Sequence, residues 1–272
     1  MKFDRKFAGW LMLVLICALL TPVAAFAQEE TKAKAGAEAE EDGEGEDLDR
    51  VIVEVEAAVY SKYVWRGLVM VDDGVLQANV DIMWRGFTFT GWGNVDLTDE
   101  NDKKGEFSEL DVIVDYEIDA GPLDLHVGAI GYFFPDAGGD TTELYVSAGL
   151  DVLLSPTLTI YRDIDEVDGW YLSLSGSYSF GGLFQLTEKV GLSPELTASV
   201  GWADSGYNSD YYRHGDNGLA DLTVGFVVPW SVLDTATVFA GAWASMLLDR
   251  TARDRSRNAD NFWIGIGGSL KF

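Results

Sequence analysis

Carboxylates recur at alternate positions of extended, otherwise uncharged segments: Glu54, Glu56, Asp81, Asp96, Asp111, Asp115, Glu117, Asp124, Glu143, Asp151, Glu195 and Asp221. Alternate residues of a strand share one face, so each of these acids stands on the polar face of its segment. Their basic counterweight within the segments is little more than Lys271, with Lys62 and Arg66 at a segment end. Carboxylates lining a water-filled passage would favour cations and raise the cost of anion entry. The alternative is that they solvate an interior or share protons with one another.

Other chemistry is thinly supported. The chain has two histidines, His126 and His214. A Ser–His catalyst needs one of them beside a nucleophile, and no G-x-S-x-G elbow accompanies the serines of 173–179. An enzyme is therefore not expected, although a hydrolase is the third alternative considered. Two acidic loops, "DIDEVDG" (163–169) and "DENDKKGE" (99–106), approach the pattern of a calcium loop. The first has Asp168 one place late, and no glutamate closes either loop in the required place, so no metal or other cofactor is expected. The run "RDRSR" (253–257) would contact lipopolysaccharide phosphates or offset acidic neighbours.

The flanking sequence sets the compartment. Lys2, Arg5 and Lys6 precede an apolar run, Phe7–Leu20, and "TPVAAFA" ends in Ala25-x-Ala27. This is a secretory signal peptide over 1–27, too short for the roughly 20 apolar residues of a membrane anchor. The one cysteine, Cys17, lies within it, so the mature chain has no disulfide and no thiolate site. Residues 28–50 hold ten acids, three bases and one large apolar residue, Leu48. They are expected to form a disordered acidic tail on the periplasmic side. A formal charge of −26 excludes nucleic acid as a partner.

Residues 51–272 must position the acids. They contain no apolar stretch long enough for a membrane helix, and instead twelve segments of period two. In the first, Val51, Val53, Val55, Ala57 and Val59 oppose Glu54, Glu56 and Tyr60. In the eighth, Trp170, Leu172, Leu174 and Tyr178 oppose Tyr171, Ser173, Ser175 and Ser177. Connections alternate between short (85–86, 119–122, 153–156, 229–234) and long (68–74, 98–105, 135–140, 165–169, 204–217, 248–260); only 181–194 is long out of turn. That alternation describes an outer-membrane barrel.

A soluble β-sandwich would alternate as well, so the aromatic residues decide. Trp84, Phe87, Tyr116, Phe180 and Phe272 fall at one set of segment ends, and Phe133, Trp170, Trp202 and Phe262 at the other. Two girdles around an apolar band are what a bilayer selects. The expectation is an all-β, antiparallel transmembrane barrel of twelve strands over 51–272, in the bacterial outer membrane and in contact with its lipid and lipopolysaccharide. The last segment, with Phe262, Leu270 and Phe272 on its apolar face, resembles the signal that bacterial barrels present to their assembly machinery. Closure pairs the twelfth strand with the first, which places Lys271 near Glu54 or Glu56.

The stretch "YSKYVWRGL" (60–68) resembles the family of porins called TorF-like (also Gcw_chp), whose members carry a similar S-x-Y-V-[FW]-R-G. Ser61, Tyr63, Val64, Trp65, Arg66 and Gly67 fit that motif. The resemblance implies an outer-membrane protein and gives a location more than a chemistry; a long acidic tail is not expected of the family. The motif has a structural reading, in which Trp and Tyr mark the interface and Gly67 turns the chain, and Arg66 has three chemical ones: a bridge to lumen carboxylates, a contact with lipid phosphate, or a stack on Trp65 or Tyr63. The function expected is a passive channel for small polar solutes with cation preference. A non-conducting structural or adhesion barrel is the alternative.

Overall fold

The computed structural model describes residues 50–102, 104–135, 138–181, 184–185 and 191–272. The expected signal peptide (1–27) and nearly all of the expected acidic tail (28–50) lie outside these residues. Twelve antiparallel strands close into a barrel. They are β1 (Ile52–Tyr60), β2 (Val75–Trp84), β3 (Phe87–Asp96), β4 (Phe107–Ala120), β5 (Leu123–Phe133) and β6 (Thr141–Leu150). The second half comprises β7 (Thr157–Asp163), β8 (Trp170–Ser179), β9 (Glu195–Ala203), β10 (Gly218–Leu233), β11 (Ala236–Leu247) and β12 (Asp260–Lys271). No strand edge can face lipid unpaired, and β1 satisfies this by bonding β2 on one side and β12 on the other. Glu54 stands opposite Lys271 in that closing register, as the sequence predicts.

Period-two patterning fixes which face meets lipid, because a slip of one residue would invert every side chain. Along β12, Ile266 is 65% exposed and Trp263 is 7% exposed. Phe262 and Ile264 follow the first; Asn261 and Ser269 follow the second. The outer surface is thus apolar and the interior polar or aromatic, the reverse of a water-soluble fold. Trp84, Phe87, Tyr116, Phe180 and Phe272 are exposed at the periplasmic strand ends, and Trp230 joins them. At the opposite ends Trp170 and Phe262 are exposed, while Phe133 and Trp202 are half-buried.

Two connections depart from expectation. The short connection expected over 229–234 shrinks to a turn at 234–235: β10 runs on to Leu233, which pairs with Ala236 of β11. The added length has its own partner. Within the connection that is long out of turn, Phe184–Gln185 pairs with Gly191–Leu192, and the latter pairs with Trp230–Ser231. A local sheet extension at the periplasmic rim therefore satisfies backbone that a turn would have left in solvent. On the extracellular side, 204–217 and 248–260 are more than loops. Each carries a short helix, α1 (Ser205–Asp210) and α2 (Arg250–Arg255), N-capped by Asp204 and Asp249 respectively.

The interior holds two apolar clusters. One, on the β1/β11/β12 wall, contains Tyr60, Phe239, Trp243 and Trp263. Its rings lie flat over glycines: a Cβ at Gly241 would sit 2.3 Å from the Trp243 ring, and one at Gly265 would sit 2.3 Å from the Tyr60 ring. The other cluster occupies the extracellular half around Tyr161, Tyr171, Tyr207 and Tyr212.

Candidate functional site

The segment after β1 folds inward. Tyr63–Trp65 and Leu68–Val71 form a small hairpin, joined by Arg66 and Gly67 with φ of 46° and 76°. Two successive left-handed residues make the turn that matches strand twist in a two-residue hairpin. Left-handed φ costs an L-residue about 1–2 kcal/mol, so Arg66 must be held there by its contacts. Gly67 is required twice over, since a Cβ on it would lie 2.7 Å from the Asp221 Cβ.

The contacts of Arg66 are numerous. Its Nη1 and Nη2 donate to the two carboxylate oxygens of Glu143 at 2.8 and 2.9 Å. Nη1 also meets the Tyr207 hydroxyl at 2.5 Å. The guanidinium carbon lies 4.6, 4.2 and 4.3 Å from the ring centres of Trp65, Tyr161 and Tyr171. Of the three readings of Arg66, the lumen bridge and the Trp65 stack hold together; lipid phosphate is out of reach of a side chain this enclosed. Glu143 is fully buried and takes a further bond from the Tyr132 hydroxyl at 2.9 Å.

Loop 204–217 closes over this pair. The Tyr212 hydroxyl donates to the Arg66 carbonyl at 2.8 Å, and the Tyr171 hydroxyl donates to Asp221 at 2.8 Å. Burial pushes the hydroxyls of Tyr207, Tyr211 and Tyr212 above the ordinary phenol value, so each stays protonated. Asp163, first residue of the calcium-like loop, is also buried. It accepts from Thr141 Oγ1 at 2.8 Å and from the backbone N–H of Asp165 and Val167 at 3.1 Å. That carboxylate shapes a loop.

The structure divides the acids into two groups. Toward the extracellular side Asp96, Asp111, Glu143 and Asp221 are buried. Asp96 accepts from Ser108 at 2.8 Å and Asn101 at 3.1 Å, in a chain that continues through Asn94 to Gln77. Toward the periplasm stand Glu54, Glu56, Asp81, Asp115, Glu117 and Asp124. Glu54 accepts from Ser269 at 2.7 Å, and Asp81 from Asn79 at 2.8 Å and from Thr90. His126 is held between Asp115 and Asp124, each 2.8 Å away, and the Tyr145 hydroxyl bonds the other Asp115 oxygen at 2.5 Å. Both His126 ring nitrogens are thereby engaged by carboxylates, and neither is offered to a serine.

Asp151 is a correction. β6 ends at Leu150, and Asp151 is exposed in the following turn rather than inward. The alternation persists through Val152 on paper, but the chain has already turned, with Leu154 and Ser155 at positive φ. Missed by the sequence reading were Glu109, buried opposite Asn94, and the role of the tyrosines. A signal for the latter existed: Tyr132, Tyr145, Tyr161 and Tyr171 occupy the inward parity of four successive strands.

A closed, twelve-stranded antiparallel barrel with an apolar outer belt, aromatic girdles and an acidic lumen is an outer-membrane β-barrel. Among solved structures, the NanC porin shares 14% identity and a TM-score of 0.53, over 81% of this chain and 100% of its own. The KdgM porin shares 9% identity over 81% and 99%, with a TM-score of 0.49. At 14% identity the likeness to NanC is one of fold. No family model matches the chain, and no curated protein matches its sequence.

Proposed function

We propose that the protein is an outer-membrane channel for passive diffusion of small polar solutes, preferring cations and narrowest at the Arg66–Glu143–tyrosine constriction. The observation that carries this reading is the inner wall. On its periplasmic half, Glu54, Glu56, Asp81, Asp115 and Asp124 of β1–β5 share the inward parity with Ser147, Ser175, Ser177 and Thr197 of β6–β9, a lining suited to water and to cations. The motif at 60–68 supports a porin of the TorF-like kind. The exposed apolar belt fits contact with outer-membrane lipid and lipopolysaccharide, and Phe262, Leu270 and Phe272 fit recognition by the barrel-assembly machinery.

Reversal potential across a potassium chloride gradient tests the selectivity. The wild type is expected to favour potassium, with a preference that weakens at high salt. Changing Asp81 and Asp115 to asparagine and Glu117 to glutamine is expected to reduce it. Anion preference in the wild type, or an unchanged potential in the variant, would sink the reading. A non-conducting barrel is the second reading, favoured by the inward-folded first hairpin and the aromatic cluster around it. Single-channel recording separates the two, since a barrel sealed by that hairpin gives no current steps.

A further inference from the structure

The extracellular mouth carries a second polar feature, of opposite sign to the lumen below it. Loops 61–74, 204–217 and 248–260, with Glu100 and Asn101, converge there on a cavity of about 360 Å³. Arg213, Arg255, Arg257, Tyr211, Asn101 and Asn258 line it. The arrangement is built. Arg213 is held at φ 62°, and the Arg255 guanidinium donates to the Arg213 carbonyl, tying the two helix-bearing loops together. Between the same loops His214 is buried, 3.6 Å from the N-cap carboxylate Asp249. Arg253 is consumed by a two-pronged pair with Asp260 at 2.7 Å, and Arg255 and Arg257, both exposed, border the cavity.

Charge balance decides what such a cavity takes. Among the described residues two acids line it, Asp72 and Glu100. Asp72 is already neutralised: it pairs with Lys62, accepts from Asn258 at 2.7 Å, and its carboxyl is held below the ordinary value by the Lys62 ammonium. Among the described residues, three arginines therefore border the cavity against one uncommitted carboxylate. The floor is apolar, with Leu68, Val69 and Leu247 beside the Tyr211 ring. Guanidinium forks suit a carboxylate geometrically, and an apolar floor suits a carbon body.

We propose that this vestibule is a binding site for a small organic carboxylate, lying on the external side of the Arg66 constriction. The site needs no ion flow, so it stands apart from the channel reading and is tested on the purified barrel in uncharged detergent. The probes are benzoate, its neutral counterpart benzamide, and inorganic phosphate, followed by titration calorimetry at low salt. Benzoate is expected to bind at one site, and benzamide and phosphate far more weakly. The double variant Arg213→Gln, Arg257→Gln removes two exposed side chains and is expected to weaken benzoate by at least about tenfold, one lost charge-assisted bond's worth. Retention of fast gel migration without heating confirms that the variant is folded. The site is refuted if benzamide or phosphate binds as tightly as benzoate, if the folded variant binds benzoate unchanged, or if benzoate shows no binding up to about 10 mM.

Discussion

Arg66 and Glu143 are 77 residues apart in the chain and meet in a two-pronged ion pair inside the barrel, both side chains enclosed. The pair fastens the first extracellular hairpin to the β5/β6 wall, and Tyr207 and Tyr212 fasten loop 204–217 to the hairpin in turn. One guanidinium therefore holds three parts of the mouth in register.

Arg66→Ala leaves Glu143 buried without its cation, and breaking one side of such a pair costs about 3–5 kcal/mol. Urea unfolding in lipid vesicles, followed by tryptophan emission, is expected to shift to lower urea by a matching amount. The released hairpin is expected to raise single-channel conductance. Arg66→Lys is expected to rescue little, because an ammonium cannot bond both carboxylate oxygens and stack on three rings at once.

Gly67→Ala tests the same hinge through the backbone. A left-handed alanine costs about 1–2 kcal/mol, and the new Cβ presses on Asp221. Gly86→Ala is the control: it has φ 80° in the equivalent Arg-Gly turn at the periplasmic rim, but its Cβ meets only the Tyr116 ring and the Glu117 carbonyl, at 3.2 and 3.3 Å. Both variants are expected to lose stability in urea titrations. Conductance is expected to change only in Gly67→Ala.

At Gly241, alanine is expected to push the Trp243 ring off the β11 wall. Overpacking of this kind costs about 1–3 kcal/mol. Tryptophan emission is expected to move to longer wavelength as the ring leaves its stack with Trp263, whose centre lies 6.2 Å away at 14°. An unchanged spectrum would show that the wall yields instead.

Phe272→Ala addresses assembly. If Phe262, Leu270 and Phe272 are read by the assembly machinery, the variant is expected to reach the outer membrane in several-fold lower amount while refolding normally in detergent. Equal loss in both assays would assign the residue to stability alone.

The barrel was legible because lipid outside and polar groups inside enforce a strict period of two, and that period sits in the residues themselves: Phe262, Ile264 and Ile266 against Trp263, Gly265 and Gly267. Arg85-Gly86 was readable as a tight turn since strands flank it on both sides. The same dipeptide at 66–67 makes the same turn, but its destination depends on Glu143, Tyr161, Tyr171 and Tyr207, which no local pattern joins to it. Asp151 and 229–234 failed for a related reason. Alternation does not say where pairing stops, and β10 is prolonged by a partner hairpin that composition does not announce. Long-range side-chain contacts made the site, and they are the part of a structure that periodicity leaves open.

The β1–β12 seam also governs the order of folding. Ser269 and Glu54, hydrogen-bonded across it, are separated by 215 residues, so the contact that seals the cylinder has nearly the greatest loop to close of any in the molecule. The entropic cost of such a loop rises only with the logarithm of its length, but contacts of this kind slow folding strongly. Eleven of the twelve pairings join chain neighbours and can form while β1 waits with a bare edge. During that wait the edge is a template for any other strand. The finished barrel has no such edge, and its hazard lies wholly in the time before the seam is made.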